Sequence, residues 1–235
     1  MLKETNLDEV KKIAVSMLYL DIGLTDFSPM IVSHPFTSSG ITMIKSDGDF
    51  KMVNLIENAA DLQLWRDAIK QQISKAESAF SILLLMNKPY YFAFIKFSKP
   101  FLSKKDLSKI LGVSWTQVEF SNHDANLSKS ELVALFKQCD PQYLMDKEDY
   151  VAYKNLGSEI VVYRGVTQAD MEHVRALSWT LSYEKAEWFA HRWSADGFVY
   201  KAKIEKKHTL ACFLGRNEKE IIVDPKYLQD IEQMK

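Results

Sequence analysis

A chain of 235 residues can form one large domain or two small ones, and burying a real core presents no difficulty. At 47% hydrophobic and 26% charged, the composition is ordinary for a globular protein rather than a disordered or collagenous one. Lys+Arg 30 against Asp+Glu 31 gives a formal charge of -1, which excludes a whole-molecule basic field aimed at nucleic acid or an anionic membrane.

The two cysteines, Cys139 and Cys212, match no metal-ligand spacing and read as buried, reduced thiols, so no metal is expected. The opening residues Met1 to Asn6 lack an apolar signal core, and no uninterrupted apolar run is long enough to span a bilayer. The expectation is a soluble cytoplasmic protein without a membrane partner.

In chain order, Val10, Ile13, Ala14 and Met17 mark an amphipathic helix over residues 7–20. Residues 27–56 are β-prone: Pro29-Met30-Ile31-Val32, then Gly40-Ile41-Thr42-Met43-Ile44, then residues 50–56. Ser46-Asp47-Gly48-Asp49 supplies a hairpin turn between the last two runs. His34-Pro35-Phe36-Thr37-Ser38-Ser39-Gly40 reads either as a ligand site or as a turn with stacked rings. Asn58 caps a helix whose face carries Leu62, Trp65, Ile69 and Ile73, and helical character is expected to continue through Ala76 to Met86. Asn87-Lys88-Pro89 restarts a helix, and the aromatics of residues 90–97 read as bundle core rather than a base-stacking surface.

Ser103-Lys104-Lys105-Asp106 and Ser128-Lys129-Ser130-Glu131 are capping patterns opening two more helices, and Asp140-Pro141 opens another, expected to run to about residue 156. After Gly157 the texture turns β-rich, with runs at residues 159–165, 177–182, 198–204, 209–213 and 218–223. Thr167-Gln168-Ala169-Asp170 caps a short helix or turn. A helix capped by Ser182 carries Ala186, Phe189, Ala190 and Trp193 on one face. The division is therefore drawn as 1–157, α+β and helical, and 158–235, β-rich.

Three pieces of the last third place polar groups where an apolar strand needs none. Arg164 ends a Val-Val-Tyr run, Ser178 and Thr180 share a strand face, and Glu218 and Glu220 are expected to share another. A guanidinium matches phosphate geometry, hydroxyls position a sugar, and a carboxylate beside a sugar carbon stabilises a developing oxocarbenium charge. Together they are the parts needed to cleave an N-glycosidic bond beside a pyrophosphate, a description that fits NAD. An ion pair of Arg164 with either glutamate, and edge-strand hydroxyls at Ser178 and Thr180, are the purely structural alternatives.

Tyr163-Arg164-Gly165, Ser178-Trp179-Thr180 and Glu218-Lys219-Glu220, in that order, resemble the arginine, serine and glutamate signature of mono-ADP-ribosyltransferases, over residues 160–224. The chain's texture also resembles that of phage- and prophage-encoded proteins. The resemblance implies an α+β protein: a small N-terminal α/β region and helical middle, followed by an ADP-ribosyltransferase-like split β-sandwich. It implies NAD as substrate, with Arg164 and Gly165 on the pyrophosphate or nicotinamide-ribose side. Ser178 would brace the ribose and Glu220, and Thr180 would support the same strand. Glu220 would stabilise the cation left as nicotinamide departs, Glu218 would orient the acceptor, and Arg216 and Asn217 would lie in a target-facing loop. Tyr183 is a candidate to stack on nicotinamide or to pack in the core, because Ser182 leads almost at once into a helix where the family has a longer loop. The implied partner is a macromolecular acceptor, a protein side chain or a nucleic acid. The alternatives are an NAD glycohydrolase and an inactive phage structural or binding protein.

Overall fold

The structure is a computed structural model describing residues 3–46, 48–119, 122, 124–167, 174–192 and 196–234. The expected cap at Gln168-Ala169-Asp170 and the apolar contact of Trp193 lie outside the described residues, as do Met1, Leu2 and Asp47. The chain divides into two compact units, Met1–Ile110 and Leu111–Lys235. The texture change near residue 157 marks a different event, the passage from helix to strand inside the second unit.

In the first unit, α1 (Leu7–Leu18) starts where the Asn6 side chain accepts the Glu9 amide. β1 (Gly23–Thr25), β2 (Ser28–His34) and β3 (Thr37–Ser39) form an antiparallel sheet in that order. β4 (Ile41–Ser46) and β5 (Asp49–Asn54) form a separate hairpin whose turn places Gly48 at φ +95. One face of this hairpin buries Ile44 and Val53. The other exposes the cross-strand pair Met43 and Met52 together with Phe50.

Helix α2 (Ala59–Lys75), capped by Asn58, does not continue through Ala76 to Met86 as expected. Ala76 turns extended, and the Ser78 hydroxyl caps a new helix, α3 (Ala79–Leu83), by accepting the Ser81 amide. Ser78 competes for the backbone and wins, as hydroxyl residues do at helix starts. α4 (Tyr91–Ser98) buries Tyr91, Phe92, Phe94 and Ile95, so three of the five aromatics expected as core are core, whereas Tyr90 is half-buried and Phe97 is exposed. α1 packs against α2, α3 and α4. Next comes α5 (Lys104–Gln117).

The second unit continues with α6 (Lys129–Gln138), opened by a complete Ser128/Glu131 capping box. The single helix expected over residues 141–156 is two: α7 (Pro141–Leu144) and α8 (Lys147–Lys154). Met145 is extended, and the Asp146 carboxylate caps α8 by accepting the Asp149 amide. Then follow β6 (Glu159–Thr167), β7 (Ser178–Thr180), α9 (Tyr183–His191), β8 (Gly197–Glu205), β9 (Thr209–Phe213), β10 (Glu220–Val223) and β11 (Gln229–Gln233). The last of these, polar along most of its length, has no alternating pattern and was not legible in the sequence.

These six strands make one antiparallel sheet in the order β11-β8-β6-β7-β10-β9. Its halves are joined narrowly. β6 pairs with β8 from Glu159↔Glu205 to Thr167↔Gly197, whereas β6 and β7 meet at Tyr163↔Thr180 alone. β9 and β10 are buried along their whole length, with α6, α7 and α8 packed on β9. The chain is thus α+β, as expected, and its strands in the second unit form one large antiparallel sheet.

Helix α9 lies unusually close to β6 and β8. A Cβ on Gly165 would sit 2.0 Å from the Ala186 carbonyl oxygen, and one on Gly197 2.1 Å from that of Ala190. Backbone atoms cannot yield as a side chain does. Gly165→Ala is therefore expected to destabilise the protein by about 3 kcal/mol, the upper end of the overpacking range. Urea denaturation of the two proteins measures the difference, and an unchanged midpoint would contradict this packing.

Candidate functional site

The site lies where β6 and β7 part. Leu177 O accepts from Val223 N and Leu181 N donates to Lys219 O, which fastens β7 to β10. On the opposite side β6 leaves after Tyr163, and side chains take over from the ladder. Arg164 Nη1 donates to Ser178 O at 2.7 Å, and Asn122 Oδ1 accepts from the amides of Leu177 and Ser178 at 3.1 and 3.2 Å. Buried main-chain groups demand partners, and at this fork three of them are served by two polar side chains.

Beside the fork opens a cavity of about 530 Å³. Arg164, Gly165, Ser178, Thr180, Glu218 and Glu220, six of the seven residues expected at a site, line it. Glu220, 8% exposed, begins β10 opposite Thr180. Its Oε1 accepts from Ser178 Oγ and, at 3.1 Å, from Trp115 Nε1. A buried carboxylate is tolerable only with such donors.

Other expected residues have additional or different work. The Thr180 hydroxyl donates to Glu218 O at 2.6 Å and accepts the Ser182 amide at 3.1 Å, tying the end of β7 to the turn before β10. Gly165 reaches the cavity, but the side where a Cβ would project is filled by α9. Tyr183 is not among the lining residues. Its ring meets Tyr163 edge-on at 5.8 Å and packs against the cluster of Ala186, Ala190 and Val199.

Glu218 and Glu220 do not share a strand face as expected, because β10 starts only at Glu220 and Lys219 has φ 47. The left-handed residue breaks the two-residue alternation, yet both residues still line the cavity. Asn217, which also has a left-handed φ of 56, ends the short 3-10 turn Gly215–Asn217 expected as a loop.

Sequence reasoning missed a whole wall. Trp115 and Val118 from α5 and the residue after it, with Glu119 and Asn122, contribute from a segment far from the motifs in sequence. Phe189 and Arg192, at the end of α9, line the cavity as well, with the Arg192 guanidinium 5.2 Å from the Phe189 ring centre. The one available signal for Trp115 was an indole N–H in an apolar helix, which needs a partner when buried.

Cys212, on β9 opposite Ile221, is no nucleophile. Burial, and then the Asp149 and Glu220 carboxylates, push its thiol up to about 11, so it stays protonated at neutral pH. Neither cysteine is in a disulfide and both are buried, and no cluster able to hold a metal occurs among the described residues. No described helix is long and apolar enough to cross a membrane.

Comparisons with models of protein families, with curated proteins and with solved structures find no match to this chain. The site therefore has to be read from its own chemistry: a braced glutamate, two further glutamates and two arginines around one cavity.

The other candidate of the sequence, His34, is 1% exposed and held by rings, with Trp65 edge-on at 5.2 Å. Its Nδ1 accepts the Phe36 amide at 3.1 Å, which assigns the proton to Nε2. Nε2 finds no partner within hydrogen-bond geometry, although the Leu18 and Leu20 carbonyls favour its charged form in part. Burial outweighs them and lowers the pKa to about 4. The folded value lies below the unfolded one, so the unfolded chain binds the proton first. Stability from this group is complete above about pH 6.5 and is lost as the pH falls towards 4, on the order of 3 kcal/mol in all. His34→Gln should remove that slope between pH 6.5 and 4 in urea titrations, and an identical slope in both proteins would refute the assignment.

Proposed function

We propose that this protein is an NAD-dependent mono-ADP-ribosyltransferase that modifies a macromolecule, with a protein side chain as the favoured acceptor. The observation that carries the reading is the meeting of Arg164, Ser178 and Glu220 at one cavity, from three strands, with Ser178 hydrogen-bonded to Glu220. A signature read as three separated pieces converges on one point. The near-separation of the sheet at Tyr163↔Thr180 supports a split β-sandwich of the kind the family resemblance implies. The cavity's volume of about 530 Å³ lies in the range of small-molecule sites, and its guanidiniums and carboxylates suit a phosphate-bearing sugar.

In this reading the roles follow from chemistry. Arg164 and Arg192 take the anionic phosphates. Glu220, oriented by Ser178, faces the positive charge that develops on the ribose as the bond to nicotinamide breaks and its electron pair leaves with nicotinamide. Glu218 orients the acceptor and receives its proton as the new bond forms at the same ribose carbon. With water as acceptor the same site would be a glycohydrolase.

The test incubates purified protein with labelled NAD and bacterial lysate, following label on protein and on nucleic acid separately, and nicotinamide release alongside. Glu220→Gln keeps the shape and removes the charge, so it should lower turnover roughly 100-fold or more. Full activity in that variant would refute the site. Glu218→Gln should impair transfer more than hydrolysis, and equal loss of both would overturn its acceptor role. Arg164→Lys keeps the charge but not the planar fork, and should weaken NAD binding roughly tenfold by calorimetry. Nicotinamide release without label would favour the glycohydrolase, and neither signal would favour an inactive binding protein.

A further inference from the structure

We propose that Trp115 is a positioning residue for the site, holding the Glu220 carboxylate in its working orientation from a helix outside the arginine-serine-glutamate motifs. The kinetic part of this inference rests on the ADP-ribosyl transfer reading, whereas the contact itself does not.

Two donors from different elements converge on one oxygen. Trp115 Nε1 on α5 and Ser178 Oγ on β7 both donate to Glu220 Oε1. A carboxylate held by a single donor can still swing about its last torsion. Two donors on one oxygen, from directions set by a helix and a strand, fix its plane.

The indole is itself fixed. Trp115 is 2% exposed, lies within helix α5, and meets Phe136 of α6 edge-on at 5.1 Å and 79°. An indole N–H only donates and does not titrate near neutral pH, so it cannot act as acid or base. Orientation, and stabilisation of the charged carboxylate in a buried place, are what remain for it to do.

The same segment holds the other brace. Asn122, seven positions beyond Trp115, accepts the amides of Leu177 and Ser178. One stretch of chain thus steadies both the catalytic carboxylate and the strand carrying its serine. Trp115 would accordingly govern turnover rather than substrate affinity, and residues 158–235 would not contain a complete site.

The experiment uses the full chain and Trp115→Phe, which keeps an aromatic ring and removes the N–H. Losing one donor to a charged group should lower kcat for nicotinamide release roughly 10- to 100-fold while KM for NAD stays within about twofold. The acid limb of the kcat profile should move to higher pH, because the carboxylate has lost a partner that favours its charged form. Unchanged kcat, or a loss confined to KM, would overturn the proposal.

A second measurement needs no activity. In the wild-type protein the Trp115 indole ¹H–¹⁵N resonance, identified by its absence in Trp115→Phe, should titrate with a carboxyl group, and that dependence should vanish in Glu220→Gln. A resonance insensitive to pH and to Glu220→Gln would overturn the contact. Should the wild-type protein release no nicotinamide, the transferase reading fails, and the titration still decides whether Trp115 holds Glu220.

Discussion

The architecture of the second unit turns on one narrow junction, the pair Tyr163↔Thr180 between β6 and β7. Antiparallel strands normally extend their pairing because every unmatched buried amide or carbonyl is costly. Here the ladder stops, and polar side chains replace it. Arg164 answers the Ser178 carbonyl, and Asn122 answers two amides. Such replacement has a consequence that a continuous ladder lacks: the strands can diverge, and the space between them becomes a cavity lined by groups already chosen for polarity. Arg164 serves both ends, closing the fork with one nitrogen while its guanidinium borders the cavity.

Glu220 depends on that fork and also on strain beside it. β10 is buried at every position, so a carboxylate at its first residue needs donors, and Ser178 and Trp115 supply them. Immediately before it Lys219 sits in the left-handed region, a conformation costing a non-glycine residue of order 1 kcal/mol. The turn is nevertheless held on both sides, since Leu181 N donates to the Lys219 carbonyl and Thr180 Oγ1 to that of Glu218. Because Lys219 interrupts the pleat, Glu218 reaches the same cavity as Glu220 by a turn rather than by alternation. Both glutamates thus line one cavity across a strained residue that neighbouring hydrogen bonds hold in place.

What could be read in advance was local. Ser182, Asn58, Ser103 and Ser128 cap helices where their patterns indicated, because a cap is a contact within three residues. Apolar spacing located α1, α2 and α9 for the same reason. Ser78 and Asp146 were overlooked because good helix-forming residues stand close on either side, and only the capping hydroxyl or carboxylate divides the two helices. β11 escaped because its pairing with β8 places it at a sheet edge, where polar residues are tolerated. In the site, motif residues that share a strand or turn could be grouped by chemistry. Trp115 and Asn122 could not, since their partners lie 105 and 55 or more residues away and one sequence carries no sign of that proximity.

The close approach of α9 completes the cavity in a way no side-chain inventory conveys. Gly165 follows Arg164 directly, and its missing Cβ, together with that of Gly197, lets Ala186 and Ala190 come down onto β6 and β8. A helix lowered there carries Phe189 and Arg192 to the cavity, one residue before and two after Ala190. Any larger residue at 165 would force α9 and β6 apart, and with α9 both of those groups. Gly165 therefore shapes the site by packing, through the helix that supplies its second arginine. An arginine-glycine pair where β6 leaves β7 joins two requirements: a charge at the fork, and an absent side chain that lets the opposite wall close on it.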